Sequence, residues 1–286
     1  MKTFVPCLKR LLKYEFLSTG RIFGLCYAGV LALALLFRIT GALAWDHTAE
    51  HAAQQLVPWI DLLASLSGAI YGVMIAAVFV ITFILILQRF YRNLLGGEGY
   101  LMNTLPVHAW QLVISKLIAA TVWIILSCVV VALSVGLFAA TGDMLSEIIS
   151  GFRDLLAYFH QQFRLPFIVL VLETAAVCIT WITASVLQIY ASIMIGHQAR
   201  RHKIALAVGA YFGINVVMTV AMSVLVNVAN ALPGNVLDAM FGLLLNGTPM
   251  QSVQVVLIAL VLIQLALSAV FFAVTEHMLR RNLNLE

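Results

Sequence analysis

The fold is decided by residues 62–88, which read LLASLSGAIYGVMIAAVFVITFILILQ and contain no charged side chain in 27 positions. A membrane-spanning helix needs about 20 mostly apolar residues. A strand of a membrane barrel is shorter and alternates apolar with polar residues at period two. This stretch is long and continuously apolar, so it predicts a transmembrane helix.

Five other stretches have the same character, and hydrophobic residues make up 63% of the 286-residue chain while charged residues make up 10%. Soluble domains carry about 25% charged residues. We therefore predict an all-α polytopic membrane protein, a single transmembrane domain over residues 1–286 that leaves no room for a separate soluble domain. The six predicted spans are residues 22–45, 62–88, 112–141, 166–196, 204–232 and 253–275.

The positive charges predict the orientation of these spans. Of the 16 Lys and Arg residues, 13 fall in the N-terminal segment, the second-to-third connection, the fourth-to-fifth connection or the C-terminus. The other three, Arg38, Arg153 and Arg164, fall in segments on the opposite side of the membrane. Basic residues concentrate in cytoplasmic segments, so both termini are predicted to be cytoplasmic.

Three shorter segments are predicted to lie at the membrane surface. Residues 4–16 place cations opposite an apolar face, which predicts an amphipathic interfacial helix. Residues 142–165 repeat apolar side chains at intervals of three and four, which predicts an outer amphipathic helix that caps a pathway or packs on the outer rim. Residues 236–245 would reach only halfway through the hydrocarbon core, which predicts a re-entrant or interfacial outer helix between spans five and six.

The connection between spans two and three is the least membrane-like part of the chain. Residues 89–116 read RFYRNLLGGEGYLMNTLPVHAWQLVISK, with three basic residues, three glycines and one proline. Glycine costs roughly 1 kcal/mol at a helical position, so this stretch predicts a bent cytoplasmic elbow. Pro106 is tolerated only in the first turn of a helix, and the third helix is expected to begin near it. Lys116 is expected to reach the cytoplasmic interface.

The sequence matches the known nucleotide-binding and metal-binding motifs poorly. The stretch GGEGY lacks the lysine and the strand-to-helix setting of a phosphate-binding loop. His47 to His51 read H-x-x-E-H, a zinc-peptidase pattern, but a short loop between two spans offers no third ligand, and we interpret it as a juxtamembrane turn. We predict no enzymatic activity and no metal site in this chain.

A few polar residues fall within the spans. Glu173 is the only acidic residue well inside one, and an ionisable group in hydrocarbon usually faces a cavity or a partner. One hypothesis places Glu173 on a translocation path together with Thr180 and Asn215. The alternative is that Glu173 is neutral or pairs at the outer interface with an arginine such as Arg164.

The elbow carries a family resemblance. FYRNLLGGEGYL (residues 90–101), TLPV (residues 104–107), the Ser-Lys pair at 115–116 and the tail NLNLE are similar to the corresponding parts of the membrane subunits of type 2 ATP-binding-cassette transporters. Small ABC-2-like permeases from Gram-positive bacteria resemble this chain there, and they share its six spans. The topological resemblance covers the whole chain, while the motifs cover fewer than 30 residues.

The resemblance implies an exporter permease of the bacterial cytoplasmic membrane, driven by a separate ATPase subunit that binds ATP and magnesium. Two permeases, identical or paralogous, and two ATPases would form the working unit, and this chain would hold no cofactor. A different class of function, an ion-coupled secondary transporter using Glu173, stays open. The resemblance also implies that the elbow is the coupling helix that contacts the ATPase. The implied contact residues are Arg89, Arg92, Leu94, Gly96, Gly97, Glu98, Gly99, Tyr100, Leu101 and Leu105.

Overall fold

The computed structural model describes residues 4–49, 57–96, 108–139, 142–162, 167–199, 201–231, 242 and 249–281. Of these residues 96% are helical and none lies in a strand, so the predicted all-α class is confirmed. The long helices, in chain order, are α1 (Phe4–Ala49), α2 (Val57–Leu94), α3 (Ala109–Ala139), α4 (Gly142–Gln162), α5 (Phe167–His197), α6 (Lys203–Ala231) and α7 (Pro249–Arg281).

Six of these helices are long and apolar enough to cross a membrane, so the chain is a multi-pass membrane protein. Each overlaps one predicted span, and α4 is the long helix that is not among them. The stretches that could span are Leu8–Ile39, Ser65–Leu94, Ala109–Leu137, Ile168–His197, Lys203–Val228 and Val253–Arg280.

The N-terminal helix differs from the prediction. The sequence suggested a separate interfacial helix before the first span, but α1 runs without a break for 46 residues. Gly20 alone is too weak a helix breaker to end it, at about 1 kcal/mol. Phe16 and Phe23 both lie against the Trp123 ring, with centroids 5.8 Å and 4.1 Å away, and this shared contact favours one continuous helix.

The structure tests the prediction for one of the other two surface segments and not for the second. Residues 142–162 form α4, so the predicted helix there is confirmed. The predicted re-entrant or interfacial segment at residues 236–245 lies outside the described residues, apart from Gly242.

Contacts group the chain into two compact units. Unit 1 comprises Met1–Gln88 and Ile118–Phe159, and unit 2 comprises Arg89–Leu117 and His160–Glu286. Both boundaries near the elbow fall inside continuous helices, α2 and α3. The units are therefore not separated by linkers at these points, which is why composition does not reveal them.

Unit 1 joins α1, α2 and α3 through buried hydroxyl groups. The Tyr27 hydroxyl lies 2.7 Å from Ser127 Oγ, and Ser127 Oγ lies 3.0 Å from Thr82 Oγ1. A second pair, Tyr71 and Ser134, is 2.8 Å apart. Hydroxyl groups in hydrocarbon need such partners, and they link membrane helices to one another. Apolar side chains including Phe23, Val30, Val78 and Val130 fill the space around them.

Unit 2 contains α5 packed against α6 and α7. Helices α5 and α6 approach closely at Gly196, where an added Cβ would overlap the backbone of Ala207. Glycine is thus required at this position by space. Along α6 no residue from Lys203 to Val228 is fully buried, whereas α5 carries a buried series from Ala184 to Met194.

Candidate functional site

The elbow begins later than its sequence suggests, because α2 continues beyond the predicted end at Gln88 to Leu94. Arg89 and Arg92 therefore stand on the last turns of a helix. Charged residues end a hydrophobic stretch without ending a helix, since arginine is a good helix former. The chain leaves the helix at Leu95 and Gly96.

The end of α2 depends on a glycine. The N–H groups of Leu95 and Gly96 both donate to the Tyr91 carbonyl oxygen at 2.9 Å. These bonds satisfy one of the carbonyls that a helix end leaves unpaired. A Cβ at Gly96 would stand 2.8 Å from the Arg92 carbonyl oxygen, so a side chain at this position would force the turn to shift.

The start of α3 is capped by its own sequence. The backbone N–H of His108 donates to Gln111 Oε1 at 3.2 Å, and the Gln111 N–H donates to the His108 carbonyl at 2.9 Å. The first bond is one half of a capping box, in which the N3 side chain accepts from the N-cap N–H, and the second is a backbone turn bond. Together these bonds fix the first helical residue at Ala109, slightly beyond the start expected from Pro106.

An aromatic pair attaches the end of α2 to α5. The Phe90 and Tyr190 rings stack with centroids 3.8 Å apart and an interplanar angle of 11°. Both side chains are almost completely buried. The Tyr190 hydroxyl also donates to the Lys116 carbonyl at 3.4 Å. One side chain of α5 thus contacts both helices that flank the elbow.

The last residue of α5 holds the turn itself. His197 Nε2 lies 3.3 Å from the Leu95 carbonyl oxygen. A carbonyl only accepts hydrogen bonds, so Nε2 carries the proton in this arrangement. The His197 ring also lies 5.8 Å from the Tyr91 ring. The elbow turn is consequently fixed to the end of α5 as well as to α2.

The predicted elbow residues divide into three groups. Arg92 is exposed, Arg89 is half-buried, and each makes an interaction within the structure. Leu94 is fully buried, so its side chain anchors the turn and does not face outward. Lys116, which is expected to reach the cytoplasmic interface, is also buried within the chain, at 3% exposure. The remaining predicted contacts lie outside the described residues: Gly97, Glu98, Gly99, Tyr100, Leu101 and Leu105.

The hypothetical pathway residues are not hydrogen-bonded to one another in the described parts of the chain. The Thr180 hydroxyl donates to the Ala176 carbonyl at 2.9 Å, and the Asn215 amide donates to the Tyr211 carbonyl at 2.7 Å. Glu173 differs from both, because its Oε2 is buried without a hydrogen-bond partner among the described residues. Two of the three side chains are satisfied by their own helices.

Among the residues that the structure describes, no cluster of three or more His, Cys, Asp or Glu side chains is placed to hold a metal ion. The H-x-x-E-H stretch is only partly described, since Glu50 and His51 lie outside the described ranges. Comparison with known proteins found no match among family models, curated proteins or solved structures. Functional inference therefore depends on the residues and their geometry.

Sequence reasoning missed Tyr190 and His197 as parts of this site. Their partners Phe90 and Leu95 are about 100 positions away along the chain, and an apolar helix gives no signal of which face meets which neighbour. Weak hints were a tyrosine in the middle of an apolar span and a glycine directly before a histidine at its end.

Proposed function

We propose that this chain is the permease subunit of a bacterial type 2 ATP-binding-cassette transporter, an exporter driven by ATP hydrolysis on a separate subunit. It lies in the cytoplasmic membrane with both termini inside, and works with a second copy or a paralogue. The proposal is supported by the six candidate spans, by the distribution of Lys and Arg, and by the resemblance of residues 90–101 and 104–107 to family permeases.

The observation that carries the proposal is the fixed base of the elbow. The turn at Leu95 and Gly96 is bonded to Tyr91 of α2 and to His197 of α5, while Tyr190 links Phe90 to the start of α3. A segment that receives force from another protein must be rooted in stiff elements, because a flexible root would absorb the movement. This root has contacts with three helices.

The same contacts supply a route for movement. Glu173 and His197 are 24 residues apart on one helix, about 36 Å at 1.5 Å per residue, which exceeds the roughly 30 Å of the hydrocarbon core. In the proposed cycle, ATP binding draws the two elbows together, and helices α2, α3 and α5 carry the displacement toward the outer side. ATP and magnesium remain on the partner throughout.

The proposal is tested by isolating the partner and breaking the contact. The tagged chain is cross-linked in its native membranes, purified and examined by mass spectrometry for a co-purifying ATPase with a phosphate-binding loop. The pair is then reconstituted in liposomes. We expect Tyr100→Asp and Leu101→Asp to abolish co-purification and permease-stimulated ATP hydrolysis while expression is unchanged.

Tyr158→Asp is the matched control, because Tyr158 is exposed at 60% on α4, in a different connection from the elbow. This variant should retain both properties. Full co-purification and full stimulation with both elbow substitutions would contradict the docking role, and the absence of any ATPase partner would contradict the class.

A second function, ion-coupled transport by this chain alone, has one observation in its favour. The buried Oε2 of Glu173 lacks a hydrogen-bond partner among the described residues, and unpaired acids in membrane helices often belong to proton pathways. Liposomes containing only this chain, loaded with a pH gradient, distinguish the two functions. Uptake that runs on the gradient and stops in Glu173→Gln would favour the second function.

A further inference from the structure

Helix α4 has an unusual position in the chain. It covers Gly142–Gln162 and is not one of the candidate spans, yet its neighbours in sequence, α3 and α5, both are. Only residues 140–141 separate it from α3, and only residues 163–166 separate it from α5. Both of its ends are therefore tied to the points where membrane-spanning helices finish or begin.

Chain length then restricts how α4 can lie. Its 21 residues extend about 32 Å at 1.5 Å per residue. The connection to α5 has five Cα steps of 3.80 Å and reaches at most about 19 Å. A helix standing upright on the membrane would place its far end about 32 Å out, and this connection could return from there only if α5 also projected far from the membrane. A helix that runs along the membrane surface needs no such projection.

One face of α4 is apolar, and three of its side chains are more than half exposed in the described parts of this chain. Ile148, Ile149 and Phe152 are exposed at 52%, 52% and 55%. At about 100° per residue these three lie within an arc of about 100°. Exposed polar side chains occupy the opposite side, and they are Glu147, Ser150, Arg153 and Asp154. The helix is thus divided into an apolar face, defined by Ile148, Ile149 and Phe152, and a polar face.

The charge of α4 decides what kind of attraction is available. Residues 142–162 contain Asp143, Glu147 and Asp154 against a single Arg153, so anionic lipid headgroups would repel this helix. Attraction must come from burial of the apolar face, which scales with the apolar area removed from water.

We propose that α4 is an interfacial helix whose apolar face inserts into the lipid bilayer, at the boundary of headgroups and acyl chains. The lipid that the apolar face of α4 contacts belongs to the same membrane that α3 and α5 cross. The surface of this membrane lies within reach of both ends of α4. The polar face remains in water. This inference concerns α4 alone and does not depend on the proposed transport function.

Spin-label depth measurements test the proposal. Cys7, Cys26, Cys128 and Cys178 are replaced by alanine or serine, and the full chain is placed in nanodiscs of phosphatidylcholine. One label at a time is then attached to Ile148→Cys or Phe152→Cys, with Ser150→Cys and Arg153→Cys as controls on the polar face. Collisions with oxygen, which concentrates in lipid, are compared with collisions with a water-soluble nickel chelate.

Labels at positions 148 and 152 should lie about 5–10 Å below the phosphates, with a several-fold higher ratio of oxygen to nickel collisions than at 150 and 153. Nickel access at 148 and 152 equal to that of the controls would overturn the proposal, because the face would then be in water. Low access to both reagents with an immobilised label would also overturn it, because a protein or cargo surface would then cover the face.

Tryptophan quenching provides a second measurement that keeps the native cysteines. Phe152→Trp should gain fluorescence that is quenched by lipids brominated near the headgroup, and Arg153→Trp should not. Because anionic lipid does not attract α4, replacing part of the phosphatidylcholine with phosphatidylglycerol should leave the quenching at position 152 unchanged or slightly weaker. Equal quenching at both positions would contradict the assignment of faces.

Discussion

The two compact units share two kinds of helix-to-helix contact and differ in their buried polar atoms. Unit 1 has a stacked aromatic pair, Phe23 on Trp123, and a Tyr27 hydroxyl that donates to the Trp123 carbonyl at 3.4 Å. It also has side-chain to side-chain hydrogen bonds, as in the chain of hydroxyls from Tyr27 through Ser127 to Thr82. In unit 2 the elbow is fixed by an aromatic stack and by side chains bonded to backbone carbonyls. The number of buried polar atoms without a hydrogen-bond partner differs between the units among the described residues.

Five buried side-chain polar atoms have no hydrogen-bond partner among the described residues, and four of them belong to unit 2. In the described part of unit 1 this atom is Trp123 Nε1, whereas the described part of unit 2 contributes atoms of Glu173, Gln188, His197 and Ser268. A buried polar group without a hydrogen-bond partner lowers stability. Among the described residues, most of these destabilising groups therefore lie in unit 2.

The largest effect is expected from removing the ring that fixes the elbow. Tyr190→Ala deletes a fully buried aromatic side chain, which typically costs about 3–5 kcal/mol. We expect a strongly lowered melting temperature in detergent, measured by tryptophan fluorescence. Tyr190→Phe keeps the stack on Phe90 and loses only a 3.4 Å hydrogen bond, so it should cost about 1 kcal/mol or less.

If the two variants were equally destabilised, the hydroxyl and not the stack would hold the elbow. Near-native stability in Tyr190→Ala would show that the stack on Phe90 does not fix the elbow.

A smaller loss is expected where α5 approaches α6 at Gly196. Gly196→Ala forces a methyl group into the backbone of Ala207, and overpacking of this kind costs about 1–3 kcal/mol. Gly209→Ala on α6 is the matched control, since its added Cβ meets no atom within 4 Å and alanine favours a helix by up to about 1 kcal/mol. The melting temperatures should move in opposite directions. A shift of the same sign in both would show that space at the crossing is not limiting.

The six spans were predictable because hydrophobic length is a local property of the chain. The predicted ends of the spans were wrong where the hydrophobic stretch and the helix-breaking residues indicated different boundaries. Gln88 ends the uncharged stretch, but α2 continues to Leu94 because no helix breaker precedes Gly96. The N-terminal cations suggested a separate helix, but Gly20 is too weak to separate residues 4–16 from the rest of α1.

The site was predictable only in part, for a different physical reason. Gly96 could be recognised because glycine at a helix end has a steric meaning. The contact of His197 with Leu95 could not be recognised, because it is a tertiary contact between positions 102 residues apart. Continuously apolar helices add to the difficulty, since their faces carry no periodic polar pattern that marks the inner side.

Unit 1 provides the next prediction. Ser127→Ala removes the central hydroxyl between Tyr27 and Thr82, both within 3.0 Å of it. Hydrogen bonds between membrane helices contribute about 0.6 kcal/mol on average and up to about 1.7 kcal/mol. We expect destabilisation in this range, and a double-mutant cycle with Tyr27→Phe should show that the two losses are not additive. Additive losses would mean that the hydroxyl pair does not couple α1 to α3.

The smallest effect is expected from the same substitution in unit 2, where it tests the comparison most directly. Ser268 is buried like Ser127, at 8% against 0% exposure, but its Oγ has no partner among the described residues. Ser268→Ala removes an unsatisfied hydroxyl and gains the same helix propensity as Ser127→Ala, so the net change should be close to zero or slightly stabilising. The difference between the two melting temperatures therefore measures the hydrogen bonds of Ser127 alone. Equal destabilisation would show that Ser268 is bonded in the membrane, and unit 2 would then be as fully satisfied at that position as unit 1.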